Sequence, residues 1–232
     1  MISQDHKREL QNRIAGHKGP GIITGMVEYA EAADLVPFQA IFGSGCDFQL
    51  RFNLYFHWYN LIHELGHIAR RAARLGYVDT TPVMEEKLAN DFAVAYWRQY
   101  GRPDRLVALR QLVTHALGQI GASCPQADLL NYYRDTARFQ KASQNPKEYG
   151  CIQFCLVLKA LEEIQHGFRQ ELQHQGFSLH PTAGQIDARE LETHTEMQAI
   201  VDDAVSVLRF HGVELGRVQV FPHYNLNEQR AI

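Results

Sequence analysis

Long apolar runs, charge of one sign and cysteine are all scarce in this chain. No run approaches the roughly 18 apolar residues a membrane span needs, so no membrane association is expected. Lysine plus arginine number 23 and aspartate plus glutamate 26, for a net charge of −3, with no basic cluster. That balance argues against a nucleic-acid partner. The first residues, MISQDHKRELQNRIAGHKG, are polar and charged and hold no signal-peptide core. The expectation is a cytoplasmic protein. Its four cysteines, Cys46, Cys124, Cys151 and Cys155, are then expected as reduced, buried thiols. Cys151 and Cys155 share a helix face, but one CxxxC alone is a weak metal signature. Repeats and low-complexity linkers are absent as well. The chain length suits one domain, or a domain with an appended helical half.

What the chain does have is a 45% hydrophobic content, enough for a packed core, and 12 histidines. Two of these lie in His63-Glu64-Leu65-Gly66-His67, an HExxH pattern. On an α-helix, positions four apart differ by only about 40° around the axis, so His63 and His67 share a face. Two imidazoles so placed can direct nitrogens at one metal ion. Zinc accepts imidazole nitrogen and carboxylate oxygen and leaves a position for water in catalytic sites. Glu64 borders the same face without being forced onto the metal. It suits a general base acting on water.

The surrounding residues read as helix. Residues 54–75 contain no proline and one glycine, and Trp58, Leu61, Ile62, Leu65, Ile68, Ala69 and Ala72 form one apolar stripe. Asn53 is a candidate cap and Gly76 a candidate stop. Arg70, Arg71 and Arg74 favour the C-terminal end of the helix dipole. Gly66 costs about 1 kcal/mol relative to alanine, but it would let another segment pass close to the histidines.

A third ligand is sought downstream. Residues 85–97, EEKLANDFAVAYW, are again helical in pattern, with Glu86, Ala89, Asn90 and Ala93 on one face. Glu86 can supply a carboxylate oxygen. Asn90, one turn on, can accept the far N–H of a ligating histidine. Glu85 competes with Glu86, but it has no polar partner at i+4, and Glu86 is preferred.

HELGH followed by Glu86-x-x-Ala89-Asn90-x-Phe92-Ala93 resembles the zincin metallopeptidases with a glutamate third ligand. Within them it is most similar to the ImmA/IrrE-type metallopeptidases, whose pattern is HExGH followed by ExxANxFA. The nineteen residues from His67 to Glu86 suit that group. The resemblance covers residues 38–100. It implies a bound Zn2+ held by His63, His67 and Glu86, with Glu64 as general base, and a peptide or protein substrate. It also implies a substrate-binding edge strand just before the metal helix. The chain departs from the pattern in its long aromatic lead, NLYFHWYNLI, and in its last hundred residues.

Around that centre, residues 38–42 and 47–52 alternate apolar and polar side chains about Gly43-Ser44-Gly45, which predicts a β-hairpin. Residues 25–35 lean to helix. Helices are expected over 104–121, 126–142, 147–175 and 187–211, and a strand over 213–221. The fold class is mostly α (α+β), with a zincin-like core over residues 1–100. A small hairpin or sheet precedes the metal helix, and a helical region, 101–232, packs with the core as one unit. Tyr77 and His223 are the first choices for the donor that stabilises an oxyanion; Tyr149, His180 and His211 are further options.

A second reading comes from another class. Di-iron carboxylate oxidases or oxygenases use two Glu-x-x-His pairs with further glutamates. The chain has Glu64-x-x-His67, Glu163-x-x-His166 and Glu171-x-x-His174, and Glu86 could bridge. That scheme gives His63 no necessary role. A third reading, an HExxH protein that has lost catalysis, ranks low because every element for chemistry is present. The sequence says nothing of the oligomeric state.

Overall fold

The computed structural model describes residues 12–13, 16–26, 32–44, 46–75, 80–120, 129–180 and 196–223. The chain is mostly helical with one small sheet. Strand β1 (Gly21–Gly25) pairs in parallel with β2 (Gln219–His223), Gly21 opposite Gln219 and Gly25 opposite His223. Segments far apart in sequence are thereby joined. Among the described residues, no helix is long and apolar enough to cross a membrane.

The expected hairpin is not there. Residues 38–42 end helix α1 (Ala32–Phe42), and residues 47–52 lie in helix α2 (Cys46–Phe52). Apolar residues at 38, 40 and 42 and at 48, 50 and 52 alternate, but those at 38, 41 and 42 and at 48 and 52 also fit helical spacing, and short runs do not separate the two periods. Tertiary packing decides. Gly43, at φ +86°, ends α1, and the Arg51 guanidinium donates to the Phe42 carbonyl at 3.1 Å. Rings of Phe38, Phe42, Phe52 and Phe56 then meet edge-on or tilted, Phe52 to Phe56 at 4.5 Å between centroids. The sheet that does form is parallel, and β1 occupies residues where no strand was expected.

The aromatic lead, Asn53–Tyr59, is π-helical and runs directly into helix α3 (Asn60–Ala72). Asn53 is therefore inside a continuous helical path and does not cap it. The wider turn frees carbonyls from the α-ladder, and β1 docks beside them. Thr24 Oγ1 donates to the Phe56 carbonyl at 3.3 Å, and His57 Nε2 donates to the Gly25 carbonyl at 2.7 Å. Trp58 stacks on Trp97 with centroids 4.1 Å apart. Helix α3 closes at Arg74, which takes φ 55°, while Leu75 N–H bonds back to the Arg70 carbonyl. Gly76 lies outside the described residues.

Helix α4 (Pro82–Tyr100) is opened by Thr81, whose hydroxyl accepts from Met84 N–H, and by Pro82 at its first position. Helix α5 (Pro103–Ile120) follows. The single helix expected over 126–142 is two, α6 (Leu129–Arg134) and α7 (Thr136–Ser143), because Asp135 caps the second. The one expected over 147–175 is also two, α8 (Pro146–Glu163) and α9 (Phe168–His174). Gln99 of α4 caps α9 by accepting Phe168 N–H at 2.7 Å. Helix α10 (Met197–Phe210) precedes β2. Its Gln198 side chain bonds the backbone of Val218 and Val220 beside that strand.

One core cluster runs from Ile22 through Leu65, Phe92, Leu109, Val157 and Phe168 to Val218, so residues on both sides of position 100 share it. Cys155 is a buried thiol outside any disulfide, whereas Cys151 is disulfide-bonded, against the expectation of four reduced cysteines. Helix-face spacing cannot reveal a sulfur brought in by another part of the fold.

Candidate metal centre

Helices α3 and α4 meet at a glycine. A Cβ on Gly66 would lie 3.1 Å from the Phe92 ring and 3.4 Å from the Ala89 Cα. This close approach sets Glu86, one turn before Ala89, against both histidines. Glu86 Oε2 lies 3.2 Å from His63 Nε2 and 3.5 Å from His67 Nε2, and the two Nε2 atoms are 3.2 Å apart. His63 is 4% exposed, whereas His67 and Glu86 are half-buried.

These three edges fit a metal. A tetrahedral zinc with bonds of 2.0–2.1 Å has ligand atoms about 3.3 Å apart. Two imidazole nitrogens and one carboxylate oxygen also form the donor set zinc favours. In the absence of an ion the same atoms are held by hydrogen bonds to the carboxylate. Burial alone would raise the Glu86 pKa, but hydrogen bonds and charge from His63 and His67 outweigh it and hold the carboxyl well below its ordinary range. For His67, burial lowers the pKa, and the Glu86 carboxylate more than restores it, with a net upward shift.

Glu85 is not part of the cluster. It forms a two-pronged pair with the buried Arg70, at 3.1 Å on each arm, and accepts from Thr80 at 2.8 Å. The choice between the adjacent glutamates thus falls to Glu86. Arg70, read from the sequence only as favouring the helix dipole, is 3% exposed.

Two residues of α8 hold Glu86. Tyr149 donates to Oε1 at 3.1 Å and Gln153 to Oε2 at 2.8 Å. Burial, then the charges of Glu86 and Glu64, raise the Tyr149 pKa well above its usual value, so the phenol keeps its proton. Tyr149 had been considered only as an oxyanion donor, and Gln153 was missed. A glutamine one turn beyond Tyr149 on an otherwise apolar stretch was the available signal.

Asn90 does not take the role expected of it. It is fully buried and lies between α8 and the π-helical lead into α3. Its Oδ1 accepts from Tyr59 at 2.8 Å, and its Nδ2 donates to the Glu86 carbonyl at 2.8 Å and to Gln153 Oε1 at 3.3 Å. A chain Tyr59–Asn90–Gln153–Glu86 results, and it orients the carboxylate rather than an imidazole. His63 Nδ1 is buried with no hydrogen-bond partner among the described residues.

Glu64 stands beside this group but outside it. It is half-buried, accepts from Asn60 Nδ2 at 3.3 Å, and its charge acts on His67, Tyr55 and Tyr149. Tyr77 lies outside the described residues. His223 has its backbone in β2 opposite Gly25, and its side chain lies outside the described residues. His211 is buried against Tyr100, 3.0 Å away, and His180 is exposed next to Gly212. Neither belongs to the His63–His67–Glu86 group.

The residues of the di-iron scheme fall apart. Glu163 pairs with Lys159 at 2.6 Å and Lys87 at 3.5 Å. His166 joins Glu171 and His174 in a separate group. Compared with protein-family models, curated proteins and solved structures, the chain matches none. What the site does must be read from its geometry.

Proposed function

We propose that the protein is a zinc-dependent metallohydrolase, and more narrowly a peptidase acting on peptide or protein substrates. One observation carries the reading. Three buried or half-buried donors of the right chemistry sit 3.2, 3.2 and 3.5 Å apart, at the edge length of a tetrahedral zinc shell, with a non-ligand carboxylate beside them. His63, His67 and Glu86 would hold the ion. When bound, zinc lowers the pKa of a water towards ~7 and polarises the scissile carbonyl.

The chain's own residues supply the rest. Glu64 takes the proton of the attacking water and delivers it to the leaving amine. Tyr149 and Gln153 fix the Glu86 carboxylate, so its orientation does not vary between turnovers. Tyr77 and His223 are the residues assigned from the sequence to donate to the oxyanion, and Tyr77→Phe and His223→Gln test them. The oxidase reading loses support because His67 and His166 lie in different clusters and neither Glu64 nor Glu163 belongs to one of them. A cytoplasmic setting belongs to the same proposal and must accommodate the disulfide at Cys151.

The test is metal content by atomic emission on protein purified without added metal, read with hydrolysis of a peptide library. Zinc should be lost from His63→Ala and Glu86→Ala. Glu64→Gln should keep it and lose about 10²–10⁴-fold in turnover. Loss of zinc from Glu64→Gln would make Glu64 a ligand and overturn the mechanism.

A further inference from the structure

Away from the first centre, His166, Glu171 and His174 form a second cluster, each offering a ligand atom within 4.8 Å of the other two. Glu171 and His174 stand one turn apart on α9, and His166 precedes the Gly167 that opens it. His166 Nε2 and Glu171 Oε2 are 2.5 Å apart, and the two imidazole rings meet edge-on with centroids 4.7 Å apart.

The carboxylate is the unusual member. Glu171 is 3% exposed, while His166 is half-buried and His174 exposed. Its Oε1 accepts from the neutral Gln175 amide at 2.7 Å. Among the described residues its ion-pair partner is His166, with no lysine or arginine. The nearby Arg70 is committed to Glu85 and to Gln175 Oε1. A buried carboxylate compensated only by an amide and an imidazole lacks the charge that normally offsets its desolvation. A cation held between the three donors would supply it. His174 is exposed, so the cluster is open to solvent on that side.

We propose that His166, Glu171 and His174 form a second divalent-metal site, distinct from the His63–His67–Glu86 centre. Two imidazoles with one carboxylate select zinc or a similar transition ion over magnesium or calcium, which take oxygen shells. The site is structural in placement. Gln175 joins Glu171 to the Leu88 carbonyl of α4 at 2.8 Å, and Phe168 of α9 packs into the core against Phe92 and Tyr96. An ion there fastens the turn at His166 to α9, which Gln175 in turn ties to the helix that carries Glu86. The inference does not rest on the hydrolase reading, because the two groups share no residue.

Zinc titration of the metal-stripped full chain against a chromophoric chelator tests it. The wild type should bind two zinc ions of unequal affinity. His174→Ala removes an exposed side chain and should not disturb folding. It should weaken one ion at least tenfold and leave the other unchanged. His63→Ala should do the converse. Thermal unfolding should show a zinc-dependent rise in Tm in His63→Ala that disappears when His174→Ala is added. A single zinc in the wild type that His63→Ala abolishes would overturn the second site. So would a second zinc that survives His166→Ala/His174→Ala, or loss of both ions from His174→Ala. If His63→Ala changes neither ion while His174→Ala removes one, the second site stands and the first reading fails.

Discussion

Gly66→Ala separates helix stability from metal binding. In an isolated helix the change should stabilise by about 1 kcal/mol, since glycine is the poorer helix former. Here the added Cβ would sit 3.1 and 3.3 Å from Phe92 ring atoms and 3.4 Å from the Ala89 Cα. Those contacts are tight, and Phe92 is fully buried with no free space around it. Overpacking of this kind costs about 1–3 kcal/mol. The net effect on the metal-free protein should lie between about 0 and 2 kcal/mol of destabilisation, read from urea unfolding. Relief requires α4 to move away from α3 by a few tenths of an ångström, and Glu86 moves with it. The 3.2 and 3.5 Å edges from Glu86 to the two imidazoles would lengthen, and zinc affinity should fall roughly tenfold, about 1.4 kcal/mol. Phe92→Leu added to Gly66→Ala should restore part of the affinity, a coupling that a double-mutant cycle measures. Stabilisation by the full ~1 kcal/mol with zinc affinity unchanged would refute the idea that this glycine sets the ligand spacing.

Glu86→Ala should abolish zinc binding at the first centre and also destabilise the metal-free chain by about 1–3 kcal/mol, because the half-buried Tyr149 and the buried Gln153 lose their acceptor. Glu85→Ala should keep the zinc yet cost about 3 kcal/mol, because the buried Arg70 loses its charged partner; the opposite order in equilibrium dialysis would move the ligand by one residue. Gln153→Ala should weaken zinc by about 10–100-fold through loss of the bond that orients Glu86, and an unchanged affinity would remove the relay from the account. Burial, then the Arg169 charge, lowers the folded-state pKa of His211 below 6.5, so the unfolded chain takes up this proton first on acidification. Its contribution to stability is complete above pH ~6.5 and declines as pH falls through that value. The urea midpoint should therefore drop from pH 7.5 to 5.5, more steeply in the wild type than in His211→Gln; equal slopes would sink the assignment.

The parts of the fold that could be read from sequence are those where one face of a long helix is dictated locally. Helices α3 and α4 are of this kind, as is the placement of Trp58, Leu61, Ile62, Leu65 and Ala69 in the core. Residues 38–52 were misread because alternation (38, 40, 42 and 48, 50, 52) and helical spacing (38, 41, 42 and 48, 52) are both present there. What selects the helical one is long-range, namely Phe154 against Phe42 and the Arg51 bond to the Phe42 carbonyl. Strand β1 escaped notice for a related reason. Its partner is nearly two hundred residues away, and five residues, GIITG, carry no pattern of their own.

The juxtaposition of His63, His67 and Glu86 was legible because its spacing is imposed by helix geometry: His63 and His67 one turn apart, Glu86 on the face of a second helix that small residues let approach. The groups that hold it were not. Tyr149 and Gln153 come from α8, more than sixty residues beyond Glu86, and nothing in local spacing ties them to it. Asn90 shows where local logic ends. Its position one turn from Glu86 correctly placed it at the centre, but a helix face has two neighbours. Which neighbour a buried amide serves depends on where its donors and acceptors can be satisfied. Tyr59 and Gln153 together meet both ends of the Asn90 amide, whereas a histidine N–H would have met one. Satisfying every hydrogen bond of a fully buried amide outweighs a single ligand contact. Of the three candidate donors, the Glu86 carboxylate is therefore the one this protein holds most firmly.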